Sequence, residues 1–180
     1  MMLDKHNALL ILIDFQERML PHIEGKEQIL KNACKLIKAA KVFGIPILIT
    51  KQKKLGDIVE EIKREIEGIE VIEKITFSCF RNESFVEKLE EANRKKCIII
   101  GIEAHICVLQ TALDLLEDGY EVHVALDCIG SRKEKDKEVA IEKMIQGGII
   151  PTTAEIAIYE MLESADTKEF KEILKIVKEG

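Results

Sequence analysis

The stretch CIIIGIEAHICVLQTALDLL, Cys97–Leu116, decides the fold. It opens with an uninterrupted apolar run, Cys97–Ile100, which Gly101 closes. After a short turn, Val108, Ala112, Leu115 and Leu116 recur at helical spacing, and Gly119 ends the pattern. A short run that is apolar at every position is a strand covered on both faces, the habit of parallel sheets. Strand, turn and helix in that order form half of a βαβ unit.

The same alternation extends in both directions. Further short runs are Ala8–Ile13, Ile45–Ile49, Val71–Ile72, Val122–Leu126 and Ile149–Ile150. Between them lie helical patterns. Ile29, Leu30, Ala33, Cys34, Ile37 and Ala40 form one stripe, stopped by Gly44 and Pro46. Phe85, Val86 and Leu89 indicate a second helix, and Val139, Ile141 and Ile145 another, ending at Gly147 and Gly148. The tail, roughly 154–178, reads as two short helices. No linker or internal repeat divides the chain, so residues 1–180 read as a single α/β domain with helices on both faces of a parallel sheet. Crossovers are right-handed by default, and ligands bind beyond the carboxyl ends of the strands, where strand order reverses.

Composition narrows the function. The 180 residues suffice for one buried core. A net charge of -6 without any block of basic residues argues against a nucleic-acid or anionic-membrane surface. No segment approaches the roughly 20 apolar residues of a membrane span, and the start MMLDKHN has no signal-peptide pattern. The five cysteines are odd in number and lack CxxC spacing, which fits a reducing, cytoplasmic setting. His6, His22, His105 and His123 stand apart from one another, so no metal-ligand cluster is visible and neither metal nor cofactor is expected. There is no G-x-S-x-G elbow, and Gly147–Gly148 lacks the GK[ST] of a phosphate-binding loop.

Candidate functional residues therefore sit just past strand ends. Asp14 ends the run in LLILIDFQ; it caps a turn or holds a carboxylate ready for proton transfer. Lys74 follows the third run in VIEKITFSCF; it points to solvent or stabilises negative charge beside a thiol. Cys107 falls in the first turn of the helix after Gly101, where unpaired N–H groups and the helix dipole favour a thiolate nucleophile. The alternative is a small buried hydrophobe, which suits Cys34 and Cys97 better. Cys79 and Cys128 also lie near strand ends and remain competitors. His105 is two residues before Cys107 and does not share its helix face, so a direct dyad is disfavoured.

Taken together, LILIDFQ, EKITFSCF and GIEAHICV, in this order, resemble the isochorismatase-like cysteine hydrolases. LLEDGYEVHVALDCIGSR and PTTAEIAIYEML extend the resemblance over nearly the whole chain. It implies a six-stranded parallel sheet of order 3-2-1-4-5-6 and a catalytic Asp14, Lys74 and Cys107. It also implies a cis peptide at Ile102–Glu103 that aims the Glu103 and Cys107 N–H groups at one oxyanion position. Gln16, Gln52, Phe77 and His105 are candidates to shape a small-molecule pocket, and the resemblance implies dimers or larger homo-oligomers. Nicotinamidases of this family carry a metal-binding Asp-x-His after the second strand; here that region reads ILITKQKKLGD, without the pair. The retained cysteine points to the hydrolysis of an amide or other C–N bond. Enol-ether hydrolysis without a nucleophile, a non-catalytic ligand-binding protein and a thiol redox protein are the alternatives.

Overall fold

The computed structural model describes residues 1–179. Six strands, β1 (Ala8–Ile13), β2 (Ile47–Gln52), β3 (Val71–Lys74), β4 (Lys96–Ile102), β5 (Glu121–Gly130) and β6 (Ile150–Thr152), form one sheet. All pairings are parallel and the order is β3-β2-β1-β4-β5-β6, as the resemblance implies. Seven α-helices connect and cover them: α1 (Lys26–Phe43), α2 (Glu60–Lys63), α3 (Glu83–Ala92), α4 (Leu109–Glu117), α5 (Glu134–Gly147), α6 (Ala154–Leu162) and α7 (Phe170–Lys178).

β1 shows why the sheet must be sandwiched. Every residue from Ala8 to Ile13 is buried. Because side chains alternate along a strand, Ala8, Leu10 and Leu12 enter the core shared with α1, α2, α6 and α7. Leu9, Ile11 and Ile13 enter the core shared with α3, α4 and α5. At about 25 cal/mol per Å² of apolar area, such two-sided burial is the main term holding the layers together.

Local signals place the helix ends. Gly44 closes α1 in the left-handed region (φ 68°), its N–H reaching the carbonyls of Ala40 and Lys41. The Asn82 side chain caps α3 by accepting from the Phe85 N–H at 3.0 Å, and Thr153 caps α6 through the Ile156 N–H. Gly101 is required for a different reason. Its φ is +139°, and a Cβ there would lie 2.2 Å from the Ile13 carbonyl oxygen. The last turn of β4 therefore closes onto β1 only with glycine at this position.

Three details depart from the sequence reading. On α5 the buried residues are Ala140 and Met144, while Val139 and Ile145 are 50% and 46% exposed. The apolar spacing alone named the wrong face. β5 continues past Leu126 through Asp127 to Gly130, because the carboxylate is spent locally: Oδ1 accepts from the Ala154 N–H at 2.9 Å. The short helix α2 carries too few residues to show a period.

Candidate active site

The order of the strands puts the reversal between β1 and β4, and the ends of these two strands supply Asp14 and Cys107. Asp14 leaves β1 with φ +53°, a left-handed conformation that aspartate tolerates better than most residues. Its N–H donates to the Thr50 carbonyl at 3.2 Å. Lys74 ends β3 with its side chain fully buried, not in solvent. Cys107 sits in a π-helical turn, Ala104–Val108, that leads into α4. The Ile102–Glu103 peptide before this turn is cis.

These three side chains converge. The Lys74 ammonium donates to Asp14 Oδ2 at 2.9 Å and lies 3.6 Å from Cys107 Sγ. It also donates to Gln52 Oε1 at 2.6 Å and to the carbonyls of Thr76 and Phe77 at 3.1 and 3.0 Å. The other Asp14 oxygen accepts from Thr50 Oγ1 at 3.0 Å. A buried lysine surrounded in this way is held charged. Burial alone would push its pKa down, but the negative charge of Asp14, with the nearby thiols, outweighs it and holds the pKa above its ordinary value.

The expected resting thiolate at Cys107 is not what this geometry gives. Burial pushes the thiol pKa up to about 12, and the neighbouring Asp14 charge adds to it, while Lys74 opposes. The Lys74 ammonium lowers it, but by less than desolvation raises it. The resting site therefore pairs a thiol with an ionised Asp14–Lys74 bridge. Cys79, the nearest competitor, is fully buried behind this group beside Thr50, and burial pushes its thiol to about 11. Cys128 is likewise buried, and desolvation raises its pKa well above the ordinary range.

A cavity of about 250 Å³ opens above the three groups. Asp14, Gln52, Glu103 and Cys107 contribute polar wall, while Met19, Leu55, Phe77, Ile102 and Ile106 contribute apolar wall. Cys107 is the one cysteine on this wall. Of the residues expected to shape the pocket, Gln52 and Phe77 line it, Phe77 as an exposed rim residue. Gln16 and His105 do not. Gln16 is fully buried, and its amide is used up on the Gln52 N–H and the carbonyls of Gln52 and Gly56. It braces the loop after β2. His105 turns to the far side of its turn, where Nδ1 meets Ser131 Oγ at 2.8 Å and Nε2 lies 3.9 Å from Asp136.

Two contributors were missed from the sequence. Thr50 orients Asp14, and its signal was the first polar residue after the apolar run Ile47–Ile49 of β2. Arg132 follows β5, lines the cavity, and donates from its backbone N–H and Nε to the buried Glu103 carboxylate at 3.1–3.2 Å. Its signal was its place just past a strand end. Among the described residues, no group of three or more His, Cys, Asp or Glu side chains is arranged to hold a metal ion.

Comparison with known proteins bears on the family and the fold. The isochorismatase domain matches residues 8–156. The chain is 36% identical to the mouse isochorismatase domain-containing protein 2A, over 96% of this chain and 84% of that protein. It is 35% identical to a secreted isochorismatase effector, Isc1, of Phytophthora sojae, over 97% and 86%. Among solved structures, a Caenorhabditis elegans protein described as MAR1 ribonuclease superposes with a TM-score of 0.93 at 34% identity, covering 98% of this chain and 92% of that one. The Escherichia coli YcaC gene product, described as an octameric hydrolase of unknown specificity, superposes with a TM-score of 0.90 at 25% identity, covering 97% and 90%. With a family match over most of the chain and a sheet that superposes on these proteins, the chain belongs to the isochorismatase family and has its hydrolase fold.

Proposed function

We propose that this chain is a cysteine-dependent hydrolase that cleaves an amide or related C–N bond of a small molecule through a thioester-type intermediate. The observation that carries the proposal is the buried Lys74 ammonium bridging the Asp14 carboxylate and the Cys107 thiol at the floor of the cavity. With the thiol protonated at rest, attack and deprotonation go together. Cys107 Sγ bonds to the carbonyl carbon while its proton passes to Asp14. Lys74 offsets the negative charge on sulfur as it develops. The tetrahedral oxyanion is met by the N–H groups of Glu103 and Cys107. Asp14 then returns the proton to the departing amine, and water hydrolyses the thioester, restoring the thiol and releasing the acid.

The proposal extends to context. The chain acts as one domain, in the cytoplasm, where its five free cysteines stay reduced, although one relative is a secreted effector. It works as a homo-oligomer, which the octameric relative and the half-exposed Ile156 and Tyr159 on α6 support. The RNA-cleaving activity named for the C. elegans protein is not part of the proposal. A net charge of -6 and a cavity of about 250 Å³ suit a small molecule better than a polyanion.

One observation favours a second reading. A thiol pushed up to about 12 beside a carboxylate would also suit enol-ether hydrolysis, with Asp14 donating a proton and no covalent intermediate. Substitution of the cysteine separates the two. Cys107→Ala should fold normally and lose turnover on a panel of small amides and ureides, and Cys107→Ser should be nearly inactive because a hydroxyl is far less acidic. Wild-type rates in Cys107→Ala would replace covalent catalysis with the acid mechanism.

A further inference from the structure

The last helix is seated by one apolar stripe and a few polar contacts. α7 carries Phe170, Ile173, Ile176 and Val177 on that stripe, while Lys171, Glu172, Lys175 and Lys178 are exposed. Ile173 and Ile176 are buried in the core that α1 and α6 share, and Phe170 and Val177 pack against it. Lys35 Nζ donates to the Val177 carbonyl at 3.0 Å, Lys38 pairs with Glu179 at 2.7 Å, and Lys5 pairs with Glu169 at 3.3 Å. α7 supplies no strand to the sheet and no wall to the cavity. It also lies beyond residues 8–156, which match the family domain.

The connection from α6 to α7 is strained. Glu163 closes α6 at φ 64° and ψ -42°, and the Ser164 N–H donates to the Leu162 carbonyl at 2.7 Å. This is a γ-turn of the rare, strained hand, at a residue that is not glycine. The segment that follows bonds only locally. The Asp166 N–H donates to Ser164 Oγ at 3.0 Å, Thr167 Oγ1 to the Ser164 carbonyl at 3.3 Å, and the Phe170 N–H to the Thr167 carbonyl at 3.3 Å. Among the described residues, no hydrogen bond ties residues 164–168 to an element other than α6 or α7. Ser164, Ala165, Asp166 and Lys168 are exposed. The half-exposed Ile156 and Tyr159 stand on α6 just before this turn, the Tyr159 carbonyl accepting the Glu163 N–H at 3.1 Å.

We infer that two copies of this chain exchange α7, each helix seating on the α1–α6 face of the other copy. The closed chain itself identifies the occupant, because its own α7 already fits that face. Every apolar and polar contact of the helix is therefore remade across the pair. What changes is the hinge. In the exchanged pair residues 163–169 run outward, and the γ-turn at Glu163 is released in both copies. The two hinges then lie side by side, next to Ile156 and Tyr159, which become covered. Release of the turns and burial of these side chains offset the freedom lost on association. The inference deepens the proposed homo-oligomer, rests on it only for the presence of a second copy, and is independent of the reaction at Cys107.

The ion pair between Lys38 and Glu179 reports the exchange, because a carbodiimide joins an ammonium and a carboxylate in contact without a spacer. Equal amounts of unlabelled and heavy-nitrogen-labelled chain are unfolded in urea, refolded together at high concentration and cross-linked. The joined Lys38 and Glu179 peptides are then weighed by mass spectrometry. In the dimer fraction about half of these products should carry one light and one heavy peptide, and the mixed share should fall on refolding at low concentration. Glu163→Gly removes the strain of the closed turn and should raise the dimer Kd, read by sedimentation, at least about tenfold. Deleting residues 165–167 leaves the closed turn too short and should hold the chain as a dimer. Single-isotope products at every concentration overturn the exchange, even in a chain that is oligomeric through another face. A shortened chain that folds as a monomer overturns it too, and an unchanged Kd in Glu163→Gly overturns the strained hinge as its cause. If the shortened chain fails to fold, the wild-type mass pattern still decides.

Discussion

Replacing Lys74 with methionine tests the electrostatic core of the site. The substitution keeps the length of the side chain and removes its charge. Lys74 and Asp14 are 0% and 2% exposed as side chains, so the surviving carboxylate would be left with Thr50 as its main donor. Breaking one partner of a buried ion pair costs about 3–5 kcal/mol, because an uncompensated charge remains in a poor dielectric. The carbonyls of Thr76 and Phe77 and the Gln52 amide oxygen also lose their donor, which places the expected loss at the upper end of that range. For a chain of this size each kcal/mol lowers Tm by roughly 2–4 °C, so a fall of roughly 6–20 °C is expected. Urea unfolding at pH 7 and thermal melts of wild type and Lys74→Met give the number. Adding Asp14→Asn to Lys74→Met should recover part of the loss, since the neutral amide removes the orphaned charge. The sign with pH follows from Lys74, whose pKa is held above its ordinary 10.5 in the folded chain. Its stabilising contribution is full below that ordinary value and is lost as pH rises through the folded value, so wild type and variant should approach each other only in strongly alkaline solution. A loss under about 1 kcal/mol, the worth of a surface pair, would refute the picture of a desolvated site.

Two further outcomes follow from the coordinates. Gly101→Ala should destabilise by at least about 3 kcal/mol in urea unfolding, because the new Cβ meets the Ile13 carbonyl oxygen, a backbone atom of the neighbouring strand that cannot swing aside; a neutral effect would mean that β4 and β1 separate freely there. The rate of Cys107 alkylation by a neutral reagent should keep climbing with pH toward about 12, since burial holds the thiol protonated. A rate that levels off below pH 8 would show a resting thiolate instead.

The sequence by itself determined the layered architecture. Apolar runs such as Ala8–Ile13 and Cys97–Ile100 must be covered on both faces, and helical stripes lie between them to do it. It also placed Asp14, Lys74 and Cys107 at strand ends, because a buried run stops where a charged or turn-forming residue intervenes. The strand order came from family resemblance, since local pattern does not say which strands become neighbours. Only the tertiary structure decided where Gln16 and His105 point, both legible as polar residues near strand ends yet turned away from the cavity by hydrogen bonds to Gln52, Gly56 and Ser131. It alone brought Thr50 to Asp14 and Arg132 to Glu103, contacts that span 36 and 29 residues. It also reversed the expected state of Cys107. A helix terminus can be read from sequence as a local feature, whereas desolvation is a sum over everything packed around the thiol, and here it is the first cause of the raised pKa.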